Sequence, residues 1–413
     1  MQFFILLLFA CFTSVYAETF PSVVPMEKPS YALSAAMERL YDQWNPHEDL
    51  NNELYSNFKY TPLNGFEKIP FTSRRDPTKV IKVGDQYHVW YTRRTSSCDP
   101  VGLKNATDTV PATDWDLADI WHATSTNGID WVESKSPAVE RPPKPEYGSR
   151  SICTPGILIW KGKYYLYFQA YAPMVGGQAY CPVRVAYADN PFGPWTHHPE
   201  PVILPGAKGT WNNIKINDPC PVVLNGRILI YYKGAPVERG NEYLIRMQGV
   251  SFADHPLGPF EASSINPVIN SGHETCMFPW KEGVAALVAL DGPEKNTIQY
   301  APDGENFKIV SLIQVPPVAP GPYCPDAFSD SGNGRGFLWG LCHINPDGGG
   351  AVSESILARF DCDLSVNVDH RKFKRNNLRF NASTYFQRGV VLSQGWRERI
   401  QKERKDVDHE TVR

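Results

Sequence analysis

Tyr187-Ala-Asp-Asn-Pro-Phe-Gly193-Pro-Trp195 and Phe252-Ala-Asp-His-Pro-Leu-Gly258-Pro-Phe260 are one phrase written twice. Looser copies stand at His122-Ala-Thr-Ser-Thr-Asn-Gly128-Ile-Asp-Trp131 and Tyr300-Ala-Pro-Asp-Gly304-Glu-Asn-Phe307. In each, a Gly-bearing turn follows an apolar strand and precedes an aromatic residue. Before each copy comes a pair of β-branched or aromatic runs joined by a tight turn. Val80 to Tyr91 turns at Gly84, Ile157 to Phe168 at Gly162, and Val222 to Tyr232 at Asn225-Gly226. Asn-Gly between alternating apolar runs is a strong hairpin signal. A less regular pair spans Phe278 to Leu290, and a fifth unit spans Ala327 to His343. Four-strand units repeating at this period, with little helical periodicity, predict an all-β, five-bladed β-propeller. A β-sandwich is the alternative, but it leaves the recurring turn unexplained.

Outside the repeats the chain changes character. Residues 1–17 begin with an uncharged apolar core and end Ser14-Val15-Tyr16-Ala17, the pattern of a secretory signal peptide without its usual basic start. The expectation is a secreted protein, extracellular or periplasmic. No other stretch approaches the ~20 apolar residues of a membrane span. Residues 18–65 form an N-terminal arm whose Tyr31 to Gln43 lacks Gly and Pro and reads as a helix, with Ser34 as N-cap. Residues 66–365 hold the propeller, and residues 366–413 are a charged C-terminal extension to which no chemistry is assigned.

A formal net charge of −3 supplies no electrostatic footprint for nucleic acid. Eleven Trp and twenty Tyr suit either sugar stacking or a β core. Eight cysteines follow the expected leader, none in a C-x-x-C pair, which argues against a zinc ribbon. Disulfides and buried free thiols both remain open. Asn105-Ala-Thr107 and Asn381-Ala-Ser383 are glycosylation sequons, meaningful only in a eukaryotic host.

In a propeller the innermost strands begin near the central axis, so residues opening the blades converge. The expected openings are Arg74-Arg-Asp76-Pro77, Cys153-Thr154-Pro155, Asn217-Asp218-Pro219-Cys220, Gly272-His273-Glu274-Thr-Cys276 and Cys324-Pro-Asp326. Asp-Pro is also a common turn dipeptide. Two such openings in register, with His273-Glu274 at the equivalent place, favour an acidic funnel of a glycosidase or sugar-binding protein.

At these residues the sequence resembles glycoside hydrolase family 117, the α-1,3-(3,6-anhydro)-L-galactosidases or neoagarobiose hydrolases. The most specific part is the motif S-x-A-x-x-R-x-x-D, here Ser34-Ala-Ala36-Met-Glu-Arg39-Leu-Tyr-Asp42. In that family the motif lies on a helical arm exchanged between two subunits, which implies a homodimer. Its i, i+3 spacing also allows an Arg39–Asp42 pair within one chain. The resemblance implies catalytic roles for Asp76, Asp218, His273 and Glu274, and hydrolysis with inversion. Asp76 would be the general base and His273 the acid, with Asp218 and Glu274 stabilising positive charge and keeping His273 protonated. Glu274 as the acid is the alternative. It implies no organic cofactor and a divalent cation near the site, although no ligand spacing requires one. For the oligosaccharide substrate, the hydroxyl and amide of Thr154 and Gln169 are binding candidates. Trp115 and Trp121, placed in the loop before the first Gly-Trp turn, are stacking candidates.

Overall fold

The computed structural model describes residues 27–42, 58–174, 179–235, 246–325, 327–328, 334–347, 352–362 and 364. Residues 1–17, residues 366–413 and Asp326 lie outside the described residues.

Five antiparallel sheets follow one another around a ring. Blade I runs from Thr72–Arg75 through Gln86–Thr95 and Asp119–Ser125 to Trp131–Glu133, with Ile81–Val83 also paired to the second strand. Blade II is Ser151–Trp160, Lys163–Tyr171, Val183–Ala188 and Thr196–His197. Blade III is Lys215–Leu224, Arg227–Ala235, Met247–Ala253 and Glu261–Ala262. Blade IV is Cys276–Lys281, Gly283–Val288, Thr297–Ala301 and Lys308–Leu312, with Gly334–Arg335 added on its inner edge. Blade V is Val318–Pro322, Trp339–Ile344 and Ile356–Asp361, and its outer strand is Lys59–Pro62 from the start of the chain.

This last pairing explains why five blades carry only four copies of the turn phrase. In blades I to IV the phrase joins the third strand to the fourth. In blade V the fourth strand is borrowed, with Lys59 opposite Asp361 and Pro62 opposite Ala358. Lys59–Pro62 therefore belongs to the propeller although it falls within residues 18–65. The fifth unit also differs from expectation. Its inner strand is Val318–Pro322, ahead of Ala327, and it reaches Trp339–Ile344 by a long connection instead of a tight turn.

Apolar side chains fill every gap between neighbouring blades. Trp90 and Ile120 of blade I pack on Ile157 and Leu166 of blade II, and Val222 and Leu229 of blade III on Val284 and Ala286 of blade IV. Leu341 and Leu357 of blade V pack back on Val89 and Tyr91 of blade I, closing the circle. Each fully buried side chain of this size contributes about 1.5–3 kcal/mol. Towards the axis the inner strands nearly touch. A Cβ on Gly156 would lie 2.2 Å from the Pro219 carbonyl oxygen, and one on Gly321 would lie 2.0 Å from that of Thr78. Only glycine permits that approach.

The helix is Ala35–Tyr41, and the Ser34 hydroxyl caps it by accepting from the Met37 N–H. It docks on blades III and IV of its own chain. Ser34 Oγ donates to the Pro267 carbonyl at 2.7 Å, and Asn270 donates to the Ala36 carbonyl at 2.6 Å. The expected Arg39–Asp42 pair is replaced. Arg39 forks onto buried Glu294 at 2.7 and 3.0 Å, while exposed Asp42 takes Lys28 at 2.8 Å. A guanidinium gains more from a desolvated, bidentate carboxylate than from a solvated neighbour.

Candidate active site

On or within two residues of each inner strand, one non-glycine residue that lines the axis has left-handed backbone. They are Asp76 (φ 52°), Thr154 (49°), Asp218 (56°), Glu274 (58°) and Ala319 (48°). All five line one axial cavity. In blades II, III and V the ladder register slips at this point, at Cys153/Gly156, Asn217/Cys220 and Val318/Gly321. Such conformations cost about 1–3 kcal/mol each, and strain of this kind gathers where function requires it. The fifth member is Ala319 instead of the expected Cys324-Pro-Asp326 opening, and Cys324 comes after the inner strand.

Asp76 is almost fully buried. Its Oδ2 accepts from Arg75 Nε at 2.9 Å, Thr154 Oγ1 at 3.2 Å and Thr92 Oγ1 at 3.3 Å. His343 Nδ1 lies 3.4 Å from its Oδ1. Burial pushes the carboxyl up, but Arg75 and His343 outweigh it and hold Asp76 well below the usual carboxylate range.

Arg75 ties the site together. Besides Asp76, it donates to Asp114 Oδ1 and Glu274 Oε1, each at 2.7 Å, and its guanidinium lies 4.8 Å from the centre of the Trp115 ring. Burial opposes its charge, yet the three carboxylates raise its pKa well above normal. Asp114, the third of them, also accepts from Ser355 Oγ at 2.8 Å; its burial outweighs Arg75 and leaves its carboxyl raised.

Asp218 accepts from Lys233 at 2.7 Å and from the Glu274 backbone N–H at 3.3 Å. His273 is 28% exposed; its Nδ1 lies 3.2 Å from Asp291 Oδ2 and 3.3 Å from Arg246. Burial raises the Asp291 carboxyl, but its bonds to His273 and Arg246 prevail and hold it well below the usual range. Glu274 and Asp218 pair with Arg75 and Lys233, and the carboxylate facing His273 is Asp291.

Two binding candidates face inward to the site's own residues. The Thr154 hydroxyl bonds Asp76, and its N–H donates to Thr92 at 2.8 Å. Gln169 uses its oxygen on the Asp218 N–H at 3.1 Å and its amide on Cys153 at 3.1 Å. Both position carboxylates. Trp115 stacks on Arg75 beside the site. Trp121 is not in a loop: it lies on the third strand of blade I, opposite Tyr91, under the Arg93 guanidinium at 3.9 Å. It packs between blades, away from the axis.

Asp76, Glu274 and His343 offer ligand atoms within 4.8 Å of one another. Asp76 Oδ1 and Glu274 Oε2 are buried and accept no hydrogen bond. Two unsatisfied carboxylate oxygens and an imidazole suit a divalent cation.

A propeller with an acidic axial cavity of this kind is the catalytic body of a glycoside hydrolase. The chain is 47% identical to a family 117 glycoside hydrolase produced by the marine bacterium Zobellia galactanivorans, over 82% of this chain and 99% of that one, with a TM-score of 0.73. The chain belongs to glycoside hydrolase family 117. Fainter likenesses carry nothing further. One is to a glycoside hydrolase, at 12% identity over 80% of this chain and 96% of the other, TM-score 0.49. Another is to a family 43 β-xylosidase/α-arabinofuranosidase from a compost metagenome, at 13% identity over 75% and 96%, TM-score 0.48. No family model and no curated protein matches the sequence.

Proposed function

We propose that this hydrolase is a secreted, exo-acting enzyme that releases 3,6-anhydro-L-galactose from the non-reducing end of neoagarobiose and short neoagaro-oligosaccharides, with inversion. Asp76 takes a proton from water as that water attacks the anomeric carbon. His273 gives its proton to the glycosidic oxygen as the bond to the leaving sugar breaks. One water is consumed and two sugars result.

The closeness of Asp76 and Glu274 carries this reading. An inverting pair of carboxyls needs about 6.5–9.5 Å between them to admit the attacking water. Ligand oxygens of Asp76 and Glu274 fall within 4.8 Å, too near to share that task. We assign the proton donor to His273, which is 28% exposed and whose Nδ1 is held by Asp291 at 3.2 Å. Asp218 and Glu274 supply negative charge beside the developing oxocarbenium ion. A divalent cation held by Asp76, Glu274 and His343 would orient sugar hydroxyls and screen the carboxylates from each other.

Proton NMR of neoagarobiose with the pure protein tests the reading. Early accumulation of the inverted anomer of anhydrogalactose is expected. Tight binding without turnover would instead indicate a sugar-binding propeller, and turnover of an arabinan alone would indicate a different hydrolase.

A further inference from the structure

The mouth of the axial cavity lies where the inner strands begin, since partly exposed His273 stands just ahead of Glu274 and the strand Cys276–Lys281. Two tyrosines meet at that end of blade II, one in the segment before its inner strand and one between its second and third strands. Tyr147 and Tyr180 hold their ring centroids 5.5 Å apart at a tilt of 42°, and they are 40% and 36% exposed. Among the described residues no other ring pair has both members exposed. The remaining pairs belong wholly or partly to the core.

The rings are open, but the backbones that carry them are pinned. Buried Arg184 donates to the Tyr147 carbonyl at 2.8 Å and to Glu146 Oε2 at 3.1 Å, while the Gly148 N–H donates to the Tyr171 carbonyl at 3.2 Å. Next to Tyr180, Cys181 is tied to the start of blade III. Its N–H donates to the Ile214 carbonyl at 3.3 Å, and its carbonyl accepts from the Ile216 N–H at 3.0 Å. Asp218 follows two residues later. Between the two anchors, Asn217 donates to Tyr171 Oη at 3.1 Å. Trp115 continues the surface towards the catalytic centre. It stacks on Arg75 and packs in one cluster with Cys153, Tyr171 and Ala179, the residue before Tyr180.

We propose that Tyr147 and Tyr180 form an outer sugar-binding platform for the longer neoagaro-oligosaccharides, a reading that rests on the exo-hydrolysis proposed above. An exo enzyme takes one terminal sugar into its cavity. Every further unit then lies beyond the scissile bond and leaves through the mouth, across the rim. Pyranose rings present apolar C–H faces with hydroxyls at their edges. A tyrosine ring matches that pattern, with a flat apolar body and a polar tip. Two rings already held by fixed backbone lose little freedom when a sugar settles on them. Their tilt suits two successive units, whose planes differ across a glycosidic bond, better than one flat sugar.

The test uses the full-length Asp76→Asn protein, in which sugars can be bound without being cleaved, and calorimetric titration with neoagarobiose and neoagarohexaose. The hexaose should bind about tenfold tighter than the disaccharide. Adding Tyr147→Ala and Tyr180→Ala should bring the two Kd values together, whereas Tyr147→Phe with Tyr180→Phe should keep most of the difference. Equal Kd values before either ring is changed overturn the platform, as does a difference that survives loss of both rings. Nitration by tetranitromethane, mapped by mass spectrometry, gives the answer with both tyrosines in place. Neoagarohexaose should protect Tyr147 and Tyr180, and neoagarobiose should not; equal modification with either sugar overturns the platform. Failure of both sugars to bind is a different result, which overturns the substrate itself and the platform with it.

Discussion

Arg75 Nη2 lies 2.7 Å from Glu274 Oε1, a contact that joins blade I to blade IV across 199 positions of sequence. The same guanidinium holds Asp76, so one buried cation fixes the spacing of two carboxylates from different blades. Replacing Arg75 by Lys keeps a charge but removes the planar fork. The expected result is a fall in kcat of about 10²-fold with KM little changed, since misplacement of the base harms the transition state most. Arg75→Met should also carry the acid limb of the kcat/KM profile to higher pH, because the charge that keeps Asp76 ionised is gone. Steady-state kinetics across pH give both numbers.

Asp291→Asn tests the proton donor. The amide preserves shape but removes the carboxylate that holds His273 Nδ1 at 3.2 Å. Activity at neutral pH should fall about 10–100-fold. Asp291→Glu should recover part of the rate. An unchanged rate in Asp291→Asn would detach His273 from proton donation.

Arg39→Ala removes the charged partner of Glu294, whose side chain is 2% exposed, and leaves it the Gln299 amide at 2.9 Å. Removing one partner of a buried ion pair destabilises a protein by about 3–5 kcal/mol. Chemical denaturation should show that loss, and Arg39→Ala/Glu294→Gln should restore much of it. Light scattering of a chain lacking residues 18–43 tests the subunit exchange implied by the Ser34-x-Ala36 motif. Dissociation of a dimer is expected, and an unaltered dimer removes the arm from assembly.

His88 and His122 stack at 5.2 Å between blades I and II, with Nδ1 and Nε2 3.0 Å apart. Burial lowers them to about 4 and about 3 respectively, with His88 adding to the shift of His122. Both are neutral in the fold and take up protons near 6.5 once unfolded. Stability is therefore full above that value and declines as pH falls through it, until the folded groups titrate. His122→Gln should flatten the decline between pH 6.5 and 4 in denaturation curves.

Much of this was legible because the signals are local. Hairpins such as Val222 to Tyr232 announce themselves through alternation and an Asn-Gly turn, and Asp76, Asp218 and Glu274 stand at equivalent places in their strands. The fifth opening was not legible. Val318-Ala319-Pro320 has no polar side chain, and its strand partner comes after a long connection. The second members of the ion pairs were missed for a different reason. Asp114, Lys233, Asp291 and His343 lie on loops or second strands, and their meaning depends on what faces them. A charged residue ending an apolar run, as in Tyr231-Tyr232-Lys233, was the one clue available. The Arg39 partner followed the same logic: spacing along a helix proposed Asp42, and tertiary burial selected Glu294.

The borrowed strand has a consequence for how the chain is made. Lys59–Pro62 leaves the ribosome about three hundred residues ahead of Ile356–Asp361, a delay of roughly 15–60 s at ordinary translation speed. Throughout that interval an unclaimed β edge travels with the nascent protein, open to pairing with a neighbouring polypeptide. Any message truncated before Ile356 yields a toroid that never latches, so loss of that last strand should be felt as aggregation in the cell before it is felt as lost catalysis.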